Sequence, residues 1–260
     1  MKLLCIGLLL ASSVAFADER PDGSVTLPDG ALAAAAVVNA ETRDLPAEPP
    51  ATHGMRATTE SLGIALAAGL TDEITAGLTY AVDLHDPDGS FPSNGRWKGP
   101  LLAHAELALA VGPRVFVAVG GDIIVHLENP TDRAFHLGVA ASVRLSPSIS
   151  IFTGAPLPNG PAGQQLAVAL AKDGPITLAI PAGVLVRPPL PVYGFVETTL
   201  ASLAITHATT KLLVSDFVPV EAGVFARARK DLDLGVVFSD DLEAPGALYT
   251  IGVAARYQRD

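Results

Sequence analysis

The sequence predicts an all-β chain: a single antiparallel, up-and-down, transmembrane β-barrel of about twelve strands, with short turns at one end and longer loops at the other. Three observations predict it. Apolar residues alternate with polar or small ones through segment after segment, and side chains alternate across a strand with a period of two. Brief turns join these segments in pairs, and longer polar connections join the pairs. Only 17% of the 260 residues are charged, below the roughly 25% of an average soluble domain. Mean hydropathy is positive, yet after the N-terminus no apolar run reaches the roughly 18 residues a spanning helix needs.

The N-terminus reads as a targeting signal. Lys2 supplies a positive start, Leu3 to Leu10 a short apolar run, and Ala15-Phe16-Ala17 a small-x-small cleavage pattern. A signal peptide is therefore expected over 1–17, cut after Ala17. Cys5, the single cysteine, falls inside it, which leaves the mature chain without disulfides, thiolate metal sites or a cysteine nucleophile. Residues 18–30 form a polar lead-in with Pro-Asp-Gly twice. The barrel is expected over 31–257, with 258–260 as a C-terminal tail.

Strand alternation is plainest in Ile74 to Leu84. Ile74, Ala76, Leu78, Tyr80, Val82 and Leu84 share one face, and Thr75, Gly77, Thr79, Ala81 and Asp83 the other. Similar rows follow near 101–111, 115–127, 134–145, 149–153, 176–186, 192–205, 217–228, 232–238 and 247–257, with 58–70 ahead of them. The Ala/Val run at 31–39 supplies a first strand. It brings the count to about twelve, the even number that puts both chain ends on the short-turn, periplasmic side. Residues 164–172 would break that parity as a separate span, so they are placed in an outer hairpin or as an extension of the strand at Ile176. The full range is roughly ten to fourteen strands. Residues 39–56, 85–98, 128–133, 155–163, 206–215 and 240–246 read as the longer loops.

Charge decides which face meets lipid. The apolar rows carry no charge in mid-strand, whereas the opposite rows carry Asp83, Glu106, Asp122, Arg144, Arg187, Glu197, Glu221, Arg227, Asp233 and Arg256. An Arg or Lys at the lipid midplane costs roughly 2–4 kcal/mol. The charged rows are otherwise rich in Gly, Ala, Ser and Thr, unlike a soluble surface with freely spread Lys and Glu. The ten charged residues are therefore expected to line a lumen. Tyr, Trp and Phe are sparse for the interfacial girdles such a barrel carries.

Motifs for catalysis or cofactor binding are missing: there is no Gly-x-Ser-x-Gly, Walker loop, dinucleotide fingerprint or His-Glu-x-x-His. No enzyme activity and no cofactor are expected. The net charge of −10 and the lack of a Lys/Arg cluster argue against nucleic acid as a partner. His104, His126 and His136 fall on three neighbouring strands, facing inward near the longer loops. They form a candidate metal or proton-sensitive constriction, against the plainer reading of ordinary lumen polarity. Asp86-x-Asp88-Gly89-Ser90 has the flavour of a calcium loop, but Pro87 and the missing distal Glu make it a turn.

The last strand carries a family resemblance. Thr250-x-Gly252-x-x-Ala255-x-Tyr257 resembles the C-terminal insertion signal of Gram-negative outer-membrane barrels, although Gln258-Arg259-Asp260 follow the aromatic that usually ends those chains. The hairpin at 222–238 looks like those of the porin-like class. The resemblance implies insertion by the outer-membrane assembly machinery and contact with outer-membrane lipid. The expected function is a porin-like channel for small solutes with a charged lumen. The alternatives are a closed-lumen structural or adhesive barrel, a secreted soluble β-barrel binding an apolar ligand, and an outer-membrane hydrolase.

Overall fold

The computed structural model describes residues 27, 29–45, 55–84, 100–112, 114–126, 129–153, 166–171, 176–205, 210–211, 219–242, 245–246 and 248–259. The expected signal peptide, most of the lead-in and most of the longer loops lie outside the described residues. So do the Asp86–Ser90 turn and Trp97.

Every described regular element is a strand: β1 (Leu32–Leu45), β2 (Met55–Gly69), β3 (Ile74–Asp83), β4 (Pro100–Gly112), β5 (Val115–His126), β6 (Asn129–Ser146), β7 (Ile149–Thr153), β8 (Leu166–Ala171), β9 (Ile176–Val186), β10 (Val192–Ile205), β11 (Thr210–Lys211), β12 (Pro219–Arg229), β13 (Leu232–Asp241) and β14 (Leu248–Arg259). All pairings are antiparallel, and each long strand lies beside its neighbours in sequence. Pairing of β1 with β14, from Leu32↔Arg259 to Arg43↔Leu248, closes the sheet. The result is a closed barrel of twelve staves. Closure removes every free edge, the condition for crossing a membrane with strands.

The fourteen strands make twelve staves because β11 is a two-residue extension beside β10, and β7 and β8 are two halves of one stave. β7 pairs with Ala141–Ser146 of β6 and Gly183–Val186 of β9. β8 pairs with Ala134–Val139 of β6 and Thr177–Ala179 of β9. Both halves run the same way between the same neighbours. This corrects the placement of 164–172: its described part, 166–171, belongs to the stave begun at Ile149, not to a hairpin or to β9. Pro181 sits where neither half pairs with β9. A proline has no N–H to give a ladder, and its carbonyl accepts a 2.7 Å hydrogen bond from Thr153 Oγ1.

Other boundaries also move. Residues 39–45, 55–56 and 129–133 were expected in loops but extend β1, β2 and β6, so the β5–β6 connection is only two residues. Gln258 and Arg259, expected as a tail, pair with Ala33 and Leu32. The short turns hold as expected. In the β2–β3 turn, Thr71 Oγ1 accepts from the N–H groups of Glu73 and Ile74 at 3.2 and 3.1 Å, as a hydroxyl does when it substitutes for a ladder partner.

The apolar rows face outward. Leu66, Leu78, Leu109, Leu137, Val224, Val236 and Val253 all stand half or more exposed, while Ala65, Phe225, Val237 and Ala254 one residue away are buried. The outward rows do not meet one another in a dry interior, as they would in a soluble barrel. Phe135 and Phe238 lie outward toward the long-loop end and Tyr257 toward the short-turn end, a thin form of the expected aromatic girdles.

Candidate functional site

The inner face is organised in three tiers, read upward from the short turns. The lowest is basic. Arg144 on β6, Arg187 just past β9, Arg227 on β12 and Arg256 on β14 all lie there, with Tyr193 of β10 among them. Asp233 is the carboxylate of this tier. It is the register partner of both Arg227 and Arg256. It accepts from Arg227 Nε at 3.4 Å and from the Tyr193 hydroxyl at 3.1 Å. The Arg256 guanidinium donates to the same hydroxyl oxygen. Arg187 and Arg256 each place their guanidinium carbon 5.9 Å from the Tyr193 ring centre, within cation–π reach. A cavity of about 240 Å³ reaches from the 147–148 and 188–191 turns to Leu185 and Tyr193.

The second tier is apolar and built by one repeated device. Phe152, Phe195 and Phe225 each lie directly across the ladder from a glycine: Gly183, Gly223 and Gly235 respectively. A Cβ on these glycines would fall 2.1, 2.3 and 2.4 Å from the facing ring. Each ring therefore covers the inner surface of the glycine beside it, and only glycine leaves it room. Phe225 also stacks on Tyr193, with centroids 5.2 Å apart and planes 10° from parallel. Leu185 joins the rings. On the β1–β2 side the same cluster is made of Ala33, Ala35, Val37, Ala65 and Ala67. Leu27 of the lead-in covers it, its backbone N–H bonded to Thr75 Oγ1 at 2.7 Å. Leu27 and Thr75 are 2% and 1% exposed, so this part of the lead-in packs on the inner face.

The third tier is acidic. Glu197 and Glu221 face each other across the β10–β12 ladder. Both are buried, and Glu221 Oε1 has no hydrogen-bond partner among the described residues. Glu197 lies four residues beyond Tyr193 on β10, about 13 Å along the strand at 3.3 Å per residue. On β4 and β5, Glu106 and Asp122 are buried beside His104. The imidazole bonds Asp122 through Nδ1, and Nε2 stands 3.3 Å from Glu106 Oε1. That last contact is an ion-pair distance without hydrogen-bond alignment, since Nε2 has no hydrogen-bond partner.

Nine of the ten predicted charges thus separate by height. Arg144, Arg187, Arg227, Asp233 and Arg256 form the lower tier, and Glu106, Asp122, Glu197 and Glu221 the upper. Asp83 is placed only by register, opposite Ser61; its side chain lies outside the described residues. Of the three histidines, His104 is held by the two carboxylates. His136 is the register partner of Asp122 and His126 stands opposite Pro100, but their side chains are outside the described residues. Among the described residues, no group of three His, Cys, Asp or Glu is arranged to hold a metal ion. Sequence reasoning missed Tyr193, the three phenylalanines and Leu27. The phenylalanines sit on faces otherwise small or polar, and their glycine partners emerge only once register is known.

No family model and no curated protein matches this chain. Solved structures do. The KdgM porin in complex with disordered oligogalacturonate aligns with a TM-score of 0.55 at 4% identity, covering 85% of this chain and 98% of that one. An outer membrane channel from Pseudomonas putida F1 gives 0.54 at 11%, covering 90% and 97%. The NanC porin gives 0.54 at 6%, covering 85% and 98%. At such identities the likeness is one of fold: this chain has the fold of outer-membrane porins.

Proposed function

We propose that this protein is an outer-membrane channel for small solutes, exported by its signal peptide, folded into the bilayer by the outer-membrane insertion machinery, and selective through its lumen charges. The observation that carries the reading is the division of faces in a closed barrel. Uncharged Leu, Val and Ile rows look outward, while Arg, Asp and Glu look inward in separate tiers. Rings of charge set ion preference in pores. A twelve-stave barrel lies between the filled eight-stranded and the open sixteen-stranded kinds. Planar-bilayer recording of protein whose gel mobility shifts on boiling tests it. Step-like conductance is expected, and folded protein that inserts without steps would contradict it.

One observation favours a second reading, a closed-lumen barrel that acts through its loops. Phe152, Leu185, Phe195 and Phe225 are buried to 3% exposure or less, and Leu27 packs on the opposite inner face. Absent conductance in a correctly folded barrel would select this reading. The soluble ligand-binding alternative is disfavoured by the outward apolar rows.

A further inference from the structure

The cavity at the short-turn mouth has a lining chemistry more specific than the general charge selectivity of the channel reading. We infer that it is a binding site for a small oxyanion, a solute bearing carboxylate or phosphate. The inference rests on the channel reading for how the anion arrives, not for the binding itself.

The lining brings together Arg144, Arg187 and Arg227 with Ser148, Ser150 and Tyr193, and contains no carboxylate. In a chain of net charge −10, three guanidiniums around one cavity of about 240 Å³ are a local reversal of sign. Guanidinium presents a planar fork of N–H donors that matches carboxylate and phosphate geometry. Arg227 meets Asp233 through Nε, at 3.4 Å, and its side chain is 53% exposed. Its half-exposed side chain forms part of the cavity lining. Arg187 is held over the Tyr193 ring, which restrains its plane and lowers the ordering cost of binding. Ser148 and Ser150 add hydroxyl groups to the same lining.

The acid tier sharpens the assignment. Glu197 and Glu221 lie above the apolar rings, separated from the cavity by Leu185, Phe195 and Phe225. An anion resting among the arginines is therefore not in contact with those carboxylates. A cation would find no carboxylate in the cavity lining.

Calorimetric titration of the full barrel, refolded in detergent, tests the inference with three probes: succinate, inorganic phosphate, and succinamide as the uncharged control. Succinate or phosphate is expected to bind and succinamide not to. Binding of succinate alone identifies a carboxylate solute and binding of phosphate alone a phosphate one. Arg187→Gln and Arg144→Gln should each weaken binding about tenfold or more, the loss of a charge-assisted hydrogen bond. Arg114→Gln removes the same charge at the same end but outside the cavity, and should change affinity less than about twofold. If the arginine variants do not fold, modification of the wild-type arginines by phenylglyoxal gives the same answer: succinate or phosphate should slow the reaction at Arg187 and Arg144 but not at Arg114. Heat evolved by neither anion, or equal weakening by Arg114→Gln and Arg187→Gln, would overturn the inference. Because binding in micelles needs no current, its failure is distinct from a failure of conductance.

Discussion

Two walls of the same barrel line the lumen in opposite ways. The β1–β2 wall is slim: Ala33, Ala35, Val37, Ala65 and Ala67 face inward, and Leu27 lies over them. The wall from β7 to β13 is thick: Phe152, Phe195 and Phe225 turn sideways onto Gly183, Gly223 and Gly235, and Tyr193 stacks on Phe225. Both obey one constraint, that an inward side chain must be covered or solvated. The slim wall is covered by a segment distant along the chain, the thick wall by its neighbour one strand away. The thick wall should therefore be sensitive to volume at single positions, and the slim wall to the attachment of the lead-in.

The largest effect should come from removing a ring. Phe225→Ala loses both the stack on Tyr193 and the cover over Gly235. It should lower stability by about 3–5 kcal/mol if the tier is packed like a core, read from urea unfolding in lipid vesicles. A cost below 1 kcal/mol would show that the tier is loosely packed or wet. Next comes the complementary insertion. Gly223→Ala places a methyl where the Phe195 ring lies, and should cost about 1–3 kcal/mol. Phe195→Leu in the same chain should recover part of that loss, and a neutral Gly223→Ala would break the ring-over-glycine account. On the slim wall, Thr75→Val removes the acceptor for the Leu27 N–H at a cost of about 1 kcal/mol. Its sharper readout is protease cleavage of the lead-in, which should accelerate while the barrel stays intact. Unchanged cleavage would mean that Leu27 is held by packing alone. The smallest effect is expected from Arg227→Gln, which removes a half-exposed ion pair to Asp233 and should change stability by about 1 kcal/mol or less. That leaves Arg227 open to a role in solute binding rather than in the fold.

The sequence made the barrel legible because lipid imposes a strict rule on one face. Outward rows such as Leu234, Val236 and Phe238 had to be apolar, and the charges between them had to look inward. Legibility failed where that rule lapses. Asn39–Leu45 and Asn129–Arg133 extend strands beyond the apolar rows, where both faces tolerate polar residues and strand reads as loop. The stave shared by β7 and β8 was hidden because its two halves are separated by residues 154–165, a stretch rich in Pro and Gly without alternation. In the candidate site, the charged residues were visible individually, but their sorting by height was not. Arg187 and Glu197 sit ten residues apart on either side of a short turn, and only the register reveals that one belongs to the mouth and the other lies above the rings. Tyr193, between them, shares their parity but carries no charge to mark it.

The account stands on the alternation of faces along each stave, and β13 offers the most direct test. With Cys5, the single cysteine of the chain, replaced by alanine, single cysteines at 233, 234, 236, 237 and 238 can each carry an environment-sensitive fluorophore in vesicles containing brominated lipid. Quenching should be strong at 234, 236 and 238, weak at 233 and 237, and so rise and fall with a period of two. Equal quenching at odd and even positions, or the opposite phase, would contradict the placement of the charged residues inside and the apolar rows against lipid.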